Sequence, residues 1–400
     1  MASADMGQPE KVVVCGAGAA GMAAALAAAR AGAPVCLLEA RPQLGGTVSH
    51  ALIHTLGGLY DSAGEFLNGG LPYELAQALT KADARVSRRR IGRTWVLNVD
   101  PQVYRCVVER WIGAEPRITV LSSARVCAVG RDADRVTWIQ AVGPEGSLRF
   151  PACAVVDATG TAEVVRLIDP GLVQDDCRRS GGGFIFTLRG VVPNTLAFPK
   201  GLGIVRAIQR AAADGTLPAG CGKAWLDSGV CEDEVYVKLL VPLPADWREC
   251  DRQEALLRES LDAQKAMVSF LQGLPGFVDA KLAQTGEIGI RDGGRVHGEY
   301  CLREVDVRQA RKFEDAVCRC CWPIEYWDPD QGVSLEYLPD NASYDIPLRS
   351  LKVRGLRNVW VAGKCLSAER YAQASARVVG TCWAMGEAAG RAAAENLESK

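Results

Sequence analysis

The stretch from Val12 to Glu39 constrains the fold more than any other part of the chain. It reads VVVCGAGAAGMAAALAAARAGAPVCLLE. Val12–Cys15 is an apolar, β-branched run with the length of a buried parallel strand. Gly16-Ala17-Gly18-Ala19-Ala20-Gly21 follows as a G-x-G-x-x-G. The first glycine suits a tight strand-to-helix turn. The second lets backbone approach a pyrophosphate, and the third lets the helix lie close on the sheet. The alanine-rich segment then runs as a helix to about Arg30, with its first amides and dipole toward that pyrophosphate. Gly32 ends it. A second apolar run, Val35–Leu38, stops at Glu39, about twenty residues after the glycines, where an acid accepts hydrogen bonds from ribose hydroxyls. Strand, glycine turn, helix, strand and terminal acid in this order predict a dinucleotide site. The alternative is a plain βαβ unit with nothing bound.

Four hundred residues are enough for a large core and for two domains, or one domain with a big insertion. With 46 basic and 47 acidic residues the net charge is −1, which argues against a dedicated nucleic-acid binder. Arg88-Arg89-Arg90, the longest basic run, reads as a solvated face or loop. No apolar run reaches membrane-spanning length, and the alanine-rich helix is short and carries Arg30. Met1–Glu10 has no apolar signal core and reads as a loose extension, so a soluble cytoplasmic protein is expected.

The fifteen cysteines are then expected to be free thiols. Cys15, Cys36, Cys127 and Cys153 sit in apolar runs, where a thiol behaves as a small hydrophobe. Cys318-Arg319-Cys320-Cys321 contains a C-x-x-C that suits a redox pair or half a metal site. No second C-x-x-C and no nearby histidine completes a zinc set, so no metal is expected.

After Glu39 comes Arg41-Pro42-Gln43-Leu44-Gly45-Gly46-Thr47. An acid, a short spacer and then Gly-Gly is more typical of FAD sites than of NAD sites. From here the chain resembles the glutathione-reductase-like flavoproteins. His50 and His54 follow, and on a helix their spacing puts both on one face. Three roles stay open for them: polar packing under the cofactor, a general base titrating near neutrality, or a covalent flavin attachment at His50.

Gly69–Leu75 opens a helix to about Lys81, and Asp100-Pro101 caps another. Arg117–Leu121 is a third parallel strand. Val126–Val129, Val136–Ala141 and Leu148–Phe150 form a small antiparallel meander, and Ala154–Asp157 is a fourth parallel strand ending in Ala158-Thr159-Gly160.

The character changes from about Pro170 to Pro339. Phe184–Arg189 and Glu234–Val241 read as strands and Arg252–Leu274 as a helix. There is no second G-x-G-x-x-G, so a separate NAD(P)H domain is not indicated and the substrate itself is expected to supply or take the hydride. Gly289–Tyr300 carries Arg291, Arg295 and His297. It is either a strand reaching an anionic substrate or flavin, or a turn at Gly293-Gly294 with solvated arginines.

Trp322-Pro323-Ile324-Glu325 and Tyr344–Ser350 come next, followed by Asn358–Cys365, a last parallel strand ending at glycine. A final helix from about Thr381 to Leu397 offers free N-terminal amides, and such an end stabilises negative charge on the N1/C2=O edge of a reduced flavin.

Together the glycine-rich start, Gly45-Gly46-Thr47, Asn68-Gly69-Gly70, Val156–Gly160, Arg291–Tyr300, Tyr344–Leu351 and Val361–Gly390 resemble the FAD-dependent oxidoreductase family. The resemblance runs from Lys11 to the end, and is loose between about Pro170 and Lys281. It implies an α/β fold: a Rossmann-type FAD-binding domain, with a parallel sheet and β-meander, over residues 11–169 and 340–400. An α+β substrate domain over 170–339 is inserted in it, and residues 1–10 form a flexible extension.

FAD is then held by Gly16, Gly18, Gly21, Glu39, Gly45, Gly46, Thr159, Gly160, Gly363 and the Val379-Gly380-Thr381 turn. Ala19, Ala20, Ala40, Arg41, Thr47, Val126, Ala158 and Lys364 line the same site. Two departures bear on the substrate pocket. Thr161-Ala162-Glu163 stands where the family usually has Gly-Asp, and Gly294 precedes Arg295 where it often has paired arginines.

The function this implies is a dehydrogenase or oxidase that passes a hydride from a small organic substrate to flavin N5. His54 or His297 would be the base, and Arg295 or Arg377 would hold a carboxylate or polarise a carbonyl. His50, Arg291 and Tyr371 would line the substrate. The alternatives are an NAD(P)H-dependent flavin monooxygenase, an electron-transfer flavoprotein subunit docked to an iron–sulfur partner, and a flavin-free structural or NAD-sensing protein. The expected partner is a small molecule, with no nucleic acid or membrane, in a chain that may form homo-oligomers.

Overall fold

In the computed structural model, which describes residues 10–176 and 179–395, Lys11–Cys15 lies inside a seven-stranded sheet. Its parallel part runs in the order Ile118–Leu121, Val35–Leu38, Lys11–Cys15, Gly146–Asp157, Val359–Val361. Connections leave the central strand to both sides, which opens a crevice at the carboxyl ends beside the glycine turn.

The expected meander and fourth parallel strand are one piece of chain. Gly146–Asp157 pairs antiparallel with Arg135–Gly143 through its first half, and parallel with Lys11–Cys15 and Val359–Val361 through its second. The buried Asn358 side chain pins this fork. It donates to Val136 O (2.8 Å) and Cys153 O (2.9 Å) and accepts from Val136 N (2.9 Å).

The alanine-rich helix, Ala19–Arg30, is buried from Ala20 to Ala29. It lies against the sheet on one side and the C-terminal helix, described from Val379 to Glu395, on the other. A Cβ on Gly386 would stand 2.1 Å from Ala20 O, and one on Gly390 would stand 2.2 Å from Ala24 O. The two helices therefore meet backbone to backbone, and the small residues on both are what set that spacing.

The cap is a four-stranded antiparallel sheet in the order Trp225–Ser228, Val235–Val241, Gly182–Arg189, Lys281–Gly289. Side chains alternate along these strands. Phe184, Phe186, Leu188, Val235, Val237 and Leu239 pack with the helices Lys200–Ala213 and Cys250–Gln272. The other face turns Ile185 and Tyr236 onto Leu52 and Ile53 of the Rossmann domain, with Lys238 paired in register to Ile185. That second face forms the roof of the candidate site.

Several expectations change. Arg88–Arg90 is a solvated face, as one of its two readings had it, but on the strand Ser87–Ile91 in a three-stranded sheet with Thr94–Asn98 and Thr55–Leu56: Arg88 and Arg90 are exposed, and Arg89 reaches Asp227 (2.8 Å). Cys127 is exposed, while Cys15, Cys36 and Cys153 are buried. Ala316–Cys320 pairs with Tyr344–Pro347 across the expected boundary near residue 340, and both strands contribute to the core beneath the C-terminal helix. The expected extension lies outside the described residues except for Glu10. Among the described residues no helix is long and apolar enough to cross a membrane, and no group of three or more His, Cys, Asp or Glu gathers.

Candidate active site

The glycine turn has no space for side chains at its first and third glycines. Gly16 takes φ +97°, and a Cβ on Gly21 would lie 1.7 Å from Gly16 O. Across the mouth, a Cβ on Gly46 would lie 2.6 Å from Gly18 Cα. Gly45 N donates to Ala17 O (2.9 Å), so the Gly-Gly loop is tied to the turn. The first bond of the helix is Met22 N to Gly18 O (3.0 Å). The amides of Ala19 and Ala20 before it keep no helical acceptor, and they can meet a pyrophosphate.

The Glu39 carboxylate accepts from Ala17 N (2.7 Å) and Arg41 N (2.9 Å), which holds it at the turn, where a ribose would meet it. Ala124 N donates to Glu39 O (2.8 Å) and Ser123 N to Arg41 O (2.9 Å). These bonds lay the chain leading to Val126 beside Ala40 and Arg41. The Arg41 guanidinium is itself tied to Glu287 on the cap (Nε, 2.6 Å).

Asp157, fully buried, fixes Ala158-Thr159-Gly160. It accepts from Thr159 N (3.1 Å) and Oγ1 (2.7 Å), and from Val164 N (3.0 Å) and Val165 N (3.1 Å) of the next helix. Gly160 faces Lys364, whose Cε would lie 2.8 Å from a Cβ there, and Gly363 stands against Ala20. Gly380 donates to Gly57 O (2.8 Å), so its amide is not free as expected; Val379 and Thr381 on either side keep theirs. Bare backbone at Gly16, Gly18, Gly21 and Gly46, the Glu39 carboxylate and this helix start together fit FAD along its length.

Beyond the helix start lies a charged seam under the cap sheet. A Cβ on Gly57 would lie 2.5 Å from the Trp322 ring. Trp322 Nε1 (2.8 Å) and Trp327 Nε1 (2.6 Å) both donate to the Glu325 carboxylate. Arg291 lies over the Trp327 ring, 4.2 Å from its centroid, and donates to Gly181 O (2.7 Å). Arg377 donates to Glu325 O (2.9 Å), and Lys364 to Ile290 O (2.7 Å). Lys238 projects from the cap sheet 3.9 Å from Asp227, which Arg89 also holds. Burial and the Arg377 charge bring the Arg291 guanidinium down to about 9, and burial lowers Arg377, Lys364 and Lys238.

The structure brings Arg291 and Arg377 together here and places the other candidates elsewhere. The helix carrying His50 ends there, and Leu52 takes φ +54°, so His54 does not share its face. His54 is fully buried, stacked on Tyr236 with ring centroids 3.6 Å apart, its Nε2 3.4 Å from Asp227. Sealed there, it cannot touch a substrate, and it serves as polar packing. His50 Nε2 lies 3.0 Å from Gln43 O, at the cradle edge.

Arg295 is 1 % exposed and held by Asp176 and by Ala368 O (2.8 Å), so it is sealed from a substrate carboxylate. The turn at Gly293-Gly294 does form, yet its arginine is buried. Gly294 takes φ +120°, a backbone conformation in which the family's second arginine would be strained. His297 is bonded through its backbone to Leu172 and Arg354, outside the seam. Tyr371 is exposed, edge-on to Tyr326 (5.0 Å).

Burial pushes the Cys321 and Cys382 thiols up to about 12, which holds them protonated and unreactive. Sequence reasoning missed Lys238 and Asp227, and quoted Glu325 without a role. The available signal was a lysine interrupting the apolar run VYVKLLV.

His54 gives a testable pH dependence. Burial, then Lys238 and Arg89, lower its pKa to about 4, below the roughly 6.5 of an unfolded histidine. As pH falls the unfolded chain takes the proton first, so stability present above about 6.5 is lost between about 6.5 and 4. His54→Phe should flatten the decline of the urea midpoint over that window. An unchanged slope in the variant would remove His54 as its source.

The chain matches a family model described as FAD dependent oxidoreductase over residues 11–184 and 202–400. No curated protein matches it. A geranylgeranyl bacteriochlorophyll reductase-like protein from Thermoplasma acidophilum is similar in structure, at 13% identity and a TM-score of 0.50, covering 97% of this chain and 79% of that one. The p-nitrophenol 4-monooxygenase PnpA from Pseudomonas putida aligns at 15% identity and a TM-score of 0.41, over 73% of this chain and 70% of that one. At 13% identity the first likeness bears on fold alone.

Proposed function

Since this chain belongs to the FAD dependent oxidoreductase family, we propose that it works as a dehydrogenase or oxidase on a small organic molecule bound under the cap sheet. The observation that carries this reading is the seam itself. At the start of the C-terminal helix, Gly57 and Gly58 leave backbone bare, and Trp322, Glu325, Arg291, Arg377 and Lys238 gather beneath the cap sheet.

Bound FAD supplies a two-electron acceptor. The chain's own work is positioning and electrostatics. Ala19 and Ala20 offer amides to the pyrophosphate, Glu39 takes the ribose, and the Val379 and Thr381 amides face developing negative charge. Lys364 and the Gly160 turn close the cofactor side. Arg291 and Arg377 orient the substrate. With His54 sealed and His297 elsewhere, the proton that leaves with the hydride falls to Glu325, whose plane the two indoles fix.

The test is anaerobic. NADH and NADPH are expected to leave the flavin colour intact, while a member of a panel of small hydroxy and amino acids bleaches it. Fast bleaching by either nicotinamide would overturn the reading in favour of a reductase or monooxygenase.

A further inference from the structure

Three half-buried cations in the seam have no ion-pair partner among the described residues. Arg291, Arg377 and Lys364 each donate to a backbone carbonyl, and among the described residues none has a carboxylate at ion-pair distance. Arg377 Nε is buried with no acceptor at all. Asp292 is buried with Oδ2 unpartnered and lies nearest Arg295 (Nε, 3.7 Å), and the other nearby carboxylates are engaged. Both Glu325 oxygens accept from indoles, Asp227 pairs with Arg89 at 2.8 Å, and Asp176 pairs with Arg295 and Arg370. Cations partly withdrawn from water gain by pairing, and such an arrangement suits an anion that arrives with a ligand.

The three do not face the same ligand. Lys364 stands against Gly160, on the cofactor side. Arg291 lies under the cap sheet, where a Cβ on Gly183 would come within 2.9 Å of its Nη2, so a bare glycine in the roof makes space for it. Arg377 stands at the turn into the C-terminal helix and donates to the Glu325 carbonyl. Stacking on Trp327 fixes the plane of the Arg291 guanidinium, which suits a planar, two-oxygen acceptor.

We infer that the molecule oxidised here is a small organic acid, and that its carboxylate is held between Arg291 and Arg377. Lys238, on the roof, adds positive potential at longer range. The inference rests on the reading that a small molecule gives its hydride to this flavin, and the test keeps the two apart.

Holoprotein is titrated with benzoate and, as a cationic control, benzylamine, following the visible flavin spectrum. FAD content is measured on every variant. Benzoate should perturb the spectrum saturably and benzylamine should not. Arg291→Met and Arg377→Met should each weaken benzoate binding by roughly tenfold or more, with FAD content unchanged, and Arg377→Lys should recover part of the loss.

The inference is overturned if no carboxylate perturbs the wild-type flavin, or if benzoate binds equally well to both Met variants. It is also overturned if the Met variants lose FAD while Arg291→Lys and Arg377→Lys keep it, since the guanidinium groups then serve the cofactor. None of these outcomes depends on which donor reduces the flavin, so the hydride reading stands or falls separately, by the nicotinamide experiment.

Discussion

Gly21→Val will produce a protein that holds no FAD and unfolds far more easily than the wild type. The obstacle at position 21 is main chain. A Cβ would lie 1.7 Å from Gly16 O and 2.9 Å from Gly16 C, and 3.2 Å from the Ala158 side chain. Rotamer changes cannot relieve a clash with backbone, so the helix must lift from the strand-to-helix turn. Overpacking of this kind costs on the order of 3 kcal/mol or more. Lifting the helix also carries Ala19 and Ala20 away from the cradle. FAD affinity, followed by quenching of flavin fluorescence, should fall by more than about 100-fold, or ~3 kcal/mol. Gly18→Ala is the control, since the nearest atom to its Cβ is 3.7 Å away and the fold should hold. Near-wild-type stability in Gly21→Val would mean that the turn is not packed as described.

The second large effect is expected 365 positions later in the chain, at Gly386 (386 − 21 = 365). Gly386→Val should lower the urea midpoint as strongly as Gly21→Val does, because its Cβ would stand 2.1 Å from Ala20 O. Gly390→Val meets Ala24 O at 2.2 Å and should behave alike. Both substitutions push the C-terminal helix off the alanine-rich helix, whose far side is already against the sheet. Since Ala20 belongs to the cradle, FAD should be lost together with stability. Gly21 and the Ala20 that Gly386 meets are adjacent at one helix start, so the effects of Gly21→Val and Gly386→Val should fall well short of additive. A fully folded, FAD-loaded Gly386→Val protein would contradict the close helix contact.

These two sites also show what was legible in the sequence and what was not. The βαβ unit was legible because its requirements are local: a strand, three missing Cβ atoms at fixed spacing, and an acid at the next strand end. The reason for so many alanines was not, because it depends on a helix at the other end of the chain. Arg291 and Arg295 could not be told apart by sequence. The counter-ion that occupies Arg295 is Asp176, 119 positions away, while no described carboxylate pairs with Arg291. The histidine pair misled because helical spacing holds only while the helix continues, and this one stops at His50. Lys238 was hidden in an apolar run whose alternation has meaning only once the cap sheet shows which face covers the seam.

The most direct test of the account is the flavin content of the purified protein after acid precipitation. The cradle described here holds FAD through backbone amides, Glu39 and a helix start, and His50 is occupied by Gln43 O, so stoichiometric FAD should appear in the supernatant and the pellet should be white. A colourless protein that takes up no added FAD would contradict the central claim. A pellet that keeps its colour would contradict the non-covalent cradle and return His50 to consideration as the attachment point.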